Sequence, residues 1–137
     1  MGSVERGFTL VELITVIILV GIISVTVFSR LGNVSSANLQ ASRDDLIAAL
    51  FFAQQTAMAR NNIQLVVTSN SVSVTENGTP IVVHSKGYPL TLAPKVTATA
   101  ATLTYDKLGR TTATTIGLSS TSGASASIVV EASGYAH

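Results

Sequence analysis

Residues 6–28 read RGFTLVELITVIILVGIISVTVF, an apolar run with a single acidic residue, Glu12. As a helix, residues 8–28 would extend roughly 31 Å at about 1.5 Å per residue, and the hydrocarbon core of a bilayer is about 30 Å thick. A carboxylate inside such a run is costly, so a residue of this kind usually has a function. The stretch therefore predicts a transmembrane helix over residues 8–30 that crosses the membrane once, with Glu12 as a functional residue.

The residues around the start of this run form a recognisable motif. Gly7-Phe8-Thr9-Leu10-Val11-Glu12 resembles the GFTLxE signal of type IV prepilins and of the pseudopilins of type II secretion. The resemblance implies that a membrane-embedded prepilin peptidase cuts between Gly7 and Phe8 and N-methylates Phe8, so that residues 1–7 are a leader peptide. It also implies that the partners are other pilin subunits, major and minor, and an inner-membrane assembly platform.

Two other interpretations of the stretch explain less of it. A secretory signal peptide has an apolar core of about 7–15 residues followed by its cleavage site, whereas here the run is longer and the cut would precede it. A plain membrane anchor accounts for the length of the run, but not for Glu12 or for the glycine before Phe8. The prepilin interpretation is the one that uses all of these residues.

The role predicted for Glu12 is assembly. After cleavage the amine of Phe8 would be a cation at the edge of a medium of low dielectric constant, where charges interact strongly. Glu12 of an incoming subunit can pair with the Phe8 amine of its neighbour, which relieves the cost of both isolated charges. This pairing would fix the axial register of the subunits. An alternative in which Glu12 extends to the lipid headgroups remains open.

The overall composition excludes several functional classes. The chain has 137 residues with eight Lys and Arg against seven Asp and Glu, a net charge of +1, so no strong field favours nucleic acid. It contains no cysteine, which excludes disulfides and thiol catalysis. The two histidines, His84 and His137, are far apart and lack nearby acidic clusters. We therefore predict no metal site, no cofactor and no enzymatic activity.

A second helix is predicted over residues 37–60, after a dip in helical character at residues 32–36. This segment contains no Gly or Pro and many good helix formers. Its apolar residues recur at helical spacing, which indicates one buried face packed on a sheet. The packing stripe consists of Leu39, Leu46, Leu50, Ala53 and Ala57.

From about residue 63 to residue 133 the pattern changes to β-strands. β-Branched residues alternate with polar ones, and Asn77-Gly78 is typical of a tight hairpin. The sequence predicts one antiparallel sheet of five to seven strands, with a turn at residues 107–110 and a flexible loop at residues 118–126. The predicted fold is thus α+β and pilin-like: a long N-terminal helix packed on an antiparallel sheet, with residues 31–137 forming a periplasmic domain.

Residues 48–67, AALFFAQQTAMARNNIQLVV, also resemble one branch of the family, the H-type pseudopilins and the minor pilins that are FimT-like or belong to the mannose-sensitive haemagglutinin system. The resemblance implies a minor pilin of a type IV pilus, first in the inner membrane with its domain in the periplasm and then in the filament at the cell surface. A position in the shaft and one at the tip, where the filament is initiated, both stay open. An H-type pseudopilin of type II secretion is the first alternative. A DNA-uptake pilin is the second alternative, with Lys107 and Arg110 as its candidate contacts. Some FimT-like minor pilins capture DNA through a C-terminal Gly-Arg-x-Arg motif, and Gly134-Tyr135-Ala136-His137 at the corresponding place lacks its arginines.

Overall fold

The computed structural model describes residues 8–83 and 86–137, and leaves undescribed the side chains of residues 26–33, 83 and 86. The chain divides into two compact units, residues 1–34 and residues 35–137. The leader predicted for residues 1–7 lies outside the described residues.

A single helix, α1, covers Leu10–Ala59 and contributes to both units. It continues through residues 32–36, where the sequence predicts a dip. An isolated glycine in a helix costs only about 1 kcal/mol, and no proline interrupts the segment. The helix ends before Asn62, whose positive φ of 55° turns the chain towards the first strand. Asparagine tolerates this left-handed conformation better than most residues.

Ten short strands are assigned within the described residues. They are β1 Ile63–Val67, β2 Ser71–Glu76, β3 Thr79–Pro80, β4 Val82–Val83, β5 Lys86–Gly87, β6 Leu90–Thr91, β7 Val96–Ala98, β8 Ala101–Thr104, β9 Thr114–Ser120 and β10 Ser125–Val130.

The strands form three antiparallel sheets instead of the single sheet that the sequence predicts. The largest has the order β3-β2-β1-β8, with β6 also paired to β2. The second has the order β10-β9-β7, and β4 pairs with β5 alone. In β1 the side chains alternate between the core and the outside, so that Ile63, Leu65 and Val67 are buried. The α+β class with a helix on antiparallel sheets is confirmed.

The loop predicted for residues 118–126 is wrong. Residues 118–120 end β9 and residues 125–126 begin β10, and the two strands pair directly at Ser119↔Ser125. A tight turn joins them through Gly123, which has a φ of 88°. The composition of Ser, Thr, Ala and Gly suggested a loop, but pairing between the strands uses backbone groups, which small residues provide as well as large ones.

The core of residues 35–137 lies between the second half of α1 and the two larger sheets. All five residues of the predicted stripe, Leu39 to Ala57, are buried in it. They belong to one cluster with buried side chains from both sheets. Its largest fully buried members from the sheets are Ile63, Leu65, Ile116, Leu118 and Ile128. The surface of this unit is therefore supported by a fully buried apolar core.

Candidate functional site

The predicted assembly segment begins with a capped helix. Phe8 lies before the helix and is 82 % exposed. The Thr9 side-chain oxygen accepts a hydrogen bond from the Glu12 backbone N–H at 3.2 Å, and the Thr9 carbonyl accepts one from the Leu13 N–H at 3.1 Å. Thr9 is thus the N-cap and Glu12 the third helical residue, the order of a capping box. The sequence reasoning missed Thr9, although the pattern Thr-x-x-Glu was available to find it.

The hydroxyl groups further along the segment turn back onto its own backbone. The Thr15 hydroxyl donates to the Val11 carbonyl at 2.8 Å, and the Ser24 hydroxyl donates to the Val20 carbonyl at 2.7 Å. Such bonds between residues i and i−4 satisfy the hydroxyl inside the helix. The outer surface of the segment is therefore mostly hydrocarbon.

Every described side chain from residue 8 to residue 25 is exposed. This surface includes thirteen large apolar side chains: Phe8, Leu10, Val11, Leu13, Ile14, Val16, Ile17, Ile18, Leu19, Val20, Ile22, Ile23 and Val25. An uncovered apolar area of this size is typical of a surface that binds a partner or a membrane.

Glu12 is the acidic residue within this apolar surface. Across the described part of the chain, no residue donates a hydrogen bond to its carboxylate or forms an ion pair with it. The carboxylate is accessible to a group outside the monomer. The predicted cleavage position at Gly7 lies outside the described residues, so the structure describes only the Phe8 side of that bond.

Among the described residues, no helix is both long enough and apolar enough to span a membrane. The single span predicted for residues 8–30 is therefore not confirmed and stays a prediction.

The turn that carries Lys107 and Arg110 is held by Asp106. One oxygen of the Asp106 carboxylate accepts hydrogen bonds from the N–H groups of Leu108 at 2.8 Å and Arg110 at 2.9 Å, and the other accepts from the Arg110 Nε at 2.9 Å. The hydrogen bond from the Arg110 backbone N–H is the main reason that the pKa of Asp106 lies below its usual value. Arg110 is thus engaged by a carboxylate, while Lys107 is exposed. The prediction that nucleic acid is not a partner rests on the sequence and stays a prediction.

Gln54 joins three elements, and the sequence reasoning missed it. Its side-chain amide donates to the Gly109 carbonyl and to the Ser133 carbonyl, each at 3.1 Å. Gly109 and Gly134 have φ values of 73° and 85° and lie against this amide. We call the arrangement of Gln54, Gly109 and Gly134 the clasp. No local sequence pattern predicts the clasp, because the hydrogen-bond partners of Gln54 are 55 and 79 residues away along the chain.

The described residues contain no group of three or more His, Cys, Asp or Glu side chains arranged to hold a metal ion. His84 lies outside the described residues. His137 stacks on Tyr135, with ring centroids 5.5 Å apart. Its ring is thus part of an aromatic contact.

Comparison with known proteins agrees with the motif and with the fold. Residues 2–28 match the family model of the prokaryotic N-terminal methylation motif. Curated protein sequences yield no match to the chain. The chain carries a type IV prepilin signal.

Solved structures show where the fold has been seen before. The type IV minor pilin FimU of Pseudomonas aeruginosa, in two crystal forms, is 16 % and 18 % identical, with TM-scores of 0.56 and 0.57. The matches cover 72 % and 74 % of this chain and 90 % and 88 % of FimU. The minor pseudopilin EpsH of the Vibrio cholerae type 2 secretion system is 11 % identical, with a TM-score of 0.58, and 73 % of this chain and 94 % of EpsH are covered. The chain thus combines this N-terminal motif with the fold seen in FimU and EpsH.

Proposed function

We propose that this chain is a minor pilin of a type IV pilus, a structural subunit and not an enzyme. The observation that carries the proposal is the combination found in residues 8–25. A capped helix with its hydroxyls turned inward exposes apolar side chains around one carboxylate that lacks a described partner. A monomer in water gains nothing from this arrangement, whereas a subunit stored in a membrane and then packed into a filament uses each part of it.

In this proposal the leader is residues 1–7, the transmembrane and assembly helix is residues 8–30, and residues 31–137 form the periplasmic domain. The prepilin peptidase cuts after Gly7 and methylates Phe8. Glu12 then pairs with the Phe8 amine of a neighbouring subunit. The assembly platform in the inner membrane moves the subunit into the filament, so that the domain reaches the cell surface.

The experiment that tests processing is mass spectrometry of the native protein. We expect the mature chain to begin with N-methylated Phe8. Gly7→Glu should leave a full-length precursor in the membrane, because a long charged side chain does not fit where glycine precedes the cut bond. Gly7→Ala is the matched control, and it should be cut far better than Gly7→Glu because alanine stays small. A mature N-terminus at any other residue would contradict the proposal.

A role as an H-type pseudopilin is the second candidate, favoured by the likeness to EpsH, whose TM-score of 0.58 is close to those of FimU. Both roles use the same signal and the same assembly chemistry. A gene deletion separates them. Loss of surface pili with normal protein secretion supports the pilus, and loss of secretion with normal pili supports the pseudopilus.

A further inference from the structure

A shallow groove lies on the surface of residues 35–137. It consists of two hollows of about 470 and 500 Å³ that adjoin at Ala132, which lines both. The first hollow lies beside the turn that Asp106 holds, and the second lies at the start of β9 and the end of β10. Much of the lining consists of threonines, namely Thr104, Thr111, Thr112, Thr114 and Thr115. We call the two hollows together the threonine groove.

One end of the groove has a carboxylate next to two aromatic rings. The Glu131 N–H donates to the Tyr135 carbonyl at 2.8 Å, so these two residues lie opposite each other on antiparallel stretches of backbone. Val129 exchanges two backbone hydrogen bonds with His137 in the same arrangement. Residues that lie opposite each other in an antiparallel pair place their side chains on the same face. The Glu131 side chain is therefore about one strand spacing, ~4.8 Å, from the row formed by Tyr135 and His137.

Tyr135 and His137 form an exposed pair of rings, which we call the aromatic platform. Their ring centroids are 5.5 Å apart and their planes are 24° from parallel. Tyr135 is 53 % exposed, although Phe51 contacts its ring at an interplanar angle of 65°. The clasp supports the platform, because Gln54 donates to the carbonyl of Ser133, two residues before Tyr135. A preorganised surface loses less entropy on binding than a mobile one.

The charges in the groove restrict what it can bind. Its charged lining residues are Asp106, Arg110 and Glu131. Asp106 and Arg110 form an ion pair at 2.9 Å and so satisfy each other. Among the described residues, none forms an ion pair with the Glu131 carboxylate or donates a hydrogen bond to it. An unpaired carboxylate accepts hydrogen bonds and repels anions. A suitable ligand therefore offers hydrogen-bond donors and carries no negative charge.

The apolar lining is too small to hold a mainly apolar partner. Val129, which is 37 % exposed, is the only exposed large apolar side chain among the residues that line the groove. Beyond the groove, the same outward face of β7, β9 and β10 consists of small exposed hydroxyl side chains, among them Thr97, Ser119, Ser125 and Ser127. Sites for drug-sized ligands are mostly apolar and enclosed. A hydroxyl-lined surface instead matches a ligand that has polar groups along its whole length.

We propose that the threonine groove and the aromatic platform bind a neutral saccharide chain. A sugar ring has hydroxyls around its edge and an apolar face of C–H groups, and the site offers a partner for each. Tyr135 and His137 cover the C–H face, since aromatic rings bury a large apolar area. Glu131 accepts hydrogen bonds from the hydroxyls, and the threonines both donate to them and accept from them. Water completes polar contacts in open sites of this kind.

Saturation-transfer-difference NMR with the whole chain tests the proposal. The chain is held in micelles of a zwitterionic detergent, because detergents with sugar headgroups would compete for the site. The neutral probes are cellohexaose, maltohexaose and fully N-acetylated chitohexaose, and the anionic probe is an oligogalacturonate, which has a carboxylate on each ring. We expect saturation transfer to the ring protons of at least one neutral probe. Transfer to the oligogalacturonate should be about threefold weaker or less, because Glu131 repels it.

Variants locate the binding site. Tyr135→Ser removes one ring of the platform and should weaken binding of the neutral probe about fivefold or more, whereas Tyr135→Phe keeps the ring and should bind as the parent does. Glu131→Gln removes the negative charge and should reduce the preference for neutral over anionic probes. Val82→Ser and Asp44→Asn, at exposed positions that do not line the groove, are the matched controls and should leave binding unchanged.

Three results would overturn the proposal: no saturation transfer to any neutral probe, equal transfer to the oligogalacturonate, or undiminished binding by a folded Tyr135→Ser variant. Circular dichroism shows which variants are folded. If Tyr135→Ser does not fold, Glu131→Gln decides, because an unchanged preference in that variant would also contradict the proposal. The inference goes beyond the proposed function and does not depend on it, since the measurement requires neither processing nor a filament.

Discussion

Residues 8–25 and residues 35–137 place their apolar side chains in opposite environments. In the first region every described side chain is exposed, and the side-chain hydrogen bonds are formed within the helix itself. In the second, Leu46, Leu50 and Ala53 are fully buried under two sheets. Hydrophobic burial stabilises the second region within the monomer. The first region can gain that stabilisation only from a membrane or from other subunits.

The comparison teaches that one charge has different consequences in the two regions. In the buried core of the domain an added charge opposes folding, because nothing there is arranged to pair with it. In the N-terminal segment Glu12 is exposed and costs the isolated monomer little. Its cost arises on transfer to an apolar environment, and a partner charge can offset that cost. Substitutions at the two places should therefore fail in different assays.

The largest expected effect is that of Leu50→Asp. Leu50 is fully buried, so an aspartate there would be a charge without a partner in the core. We expect the domain to unfold, with a loss of more than about 4 kcal/mol in the free energy of unfolding. Thermal unfolding followed by circular dichroism measures this. Gln55→Asp is the matched control on the exposed side of α1 and should change the free energy by less than about 0.5 kcal/mol. A folded Leu50→Asp domain would show that the core is not where the structure has it.

Glu12→Leu should abolish assembly and leave the fold of the domain intact. The substitution removes a charge from the apolar segment, so membrane insertion should be unchanged or easier. The partner of the Phe8 amine is lost, so surface pili should be absent or strongly reduced when this is the sole copy of the chain. Cell fractionation and a count of surface pili give the two readouts. Leu13→Met, which keeps the surface apolar, should assemble normally. Normal piliation by Glu12→Leu would refute the pairing.

Much of both regions could be predicted from local sequence. The GFTLVE motif and the length of the apolar run locate the segment and Glu12, and the helical spacing of Leu39, Leu46 and Leu50 locates the buried face. The motif and the apolar run are contiguous in the sequence, and the buried face repeats at helical spacing, so neighbouring residues are enough to identify each of them. The Asn77-Gly78 hairpin also follows from its own residues, since Asn77 and Gly78 both have positive φ in the structure.

What could not be predicted depends on distant contacts. The pairing of Ser119 with Ser125 uses backbone groups, and side-chain composition does not report it. The division into separate sheets depends on the order of strands, in which β8 lies beside β1 and β7 beside β9. In the sequence Gln54 resembles any other polar helix residue. Its role depends on hydrogen bonds to Gly109 and Ser133, which only the folded chain places next to it.

Gly134→Ala tests whether the clasp is closely packed, and Gly123→Ala is its matched control. Both glycines have positive φ, 85° and 88°. A residue with a Cβ pays about 1–2 kcal/mol for that conformation, and this is the whole cost expected at Gly123, where nothing lies within 4 Å. At Gly134 the added Cβ also collides with the Gly109 carbonyl oxygen, so we expect a loss of more than about 3 kcal/mol. Urea unfolding compares the two. Equal losses would mean that the clasp is loose.

Tyr105→Phe should have the smallest effect, and in the opposite direction. The Tyr105 side chain is buried, and no group among the described residues hydrogen-bonds its hydroxyl. Because the hydroxyl gives up its hydrogen bonds to water on folding, its removal should raise the free energy of unfolding by about 1 kcal/mol. Thermal unfolding at pH 7 measures the gain. Tyr135→Phe, at an exposed tyrosine, is the control and should change nothing measurable.

The same variant changes how stability depends on alkaline pH. Burial raises the pKa of Tyr105 to about 12 from the ordinary value near 10. Between those values the unfolded chain loses the tyrosine proton while the folded chain keeps it, so the free energy of unfolding of the parent should fall as the pH rises through about 10 to 12. In Tyr105→Phe this part of the fall should be absent, while Tyr135→Phe should follow the parent. If all three proteins lose stability in parallel above pH 10, the Tyr105 hydroxyl has a partner or access to water, and the core under β8 is more open than its side chains indicate.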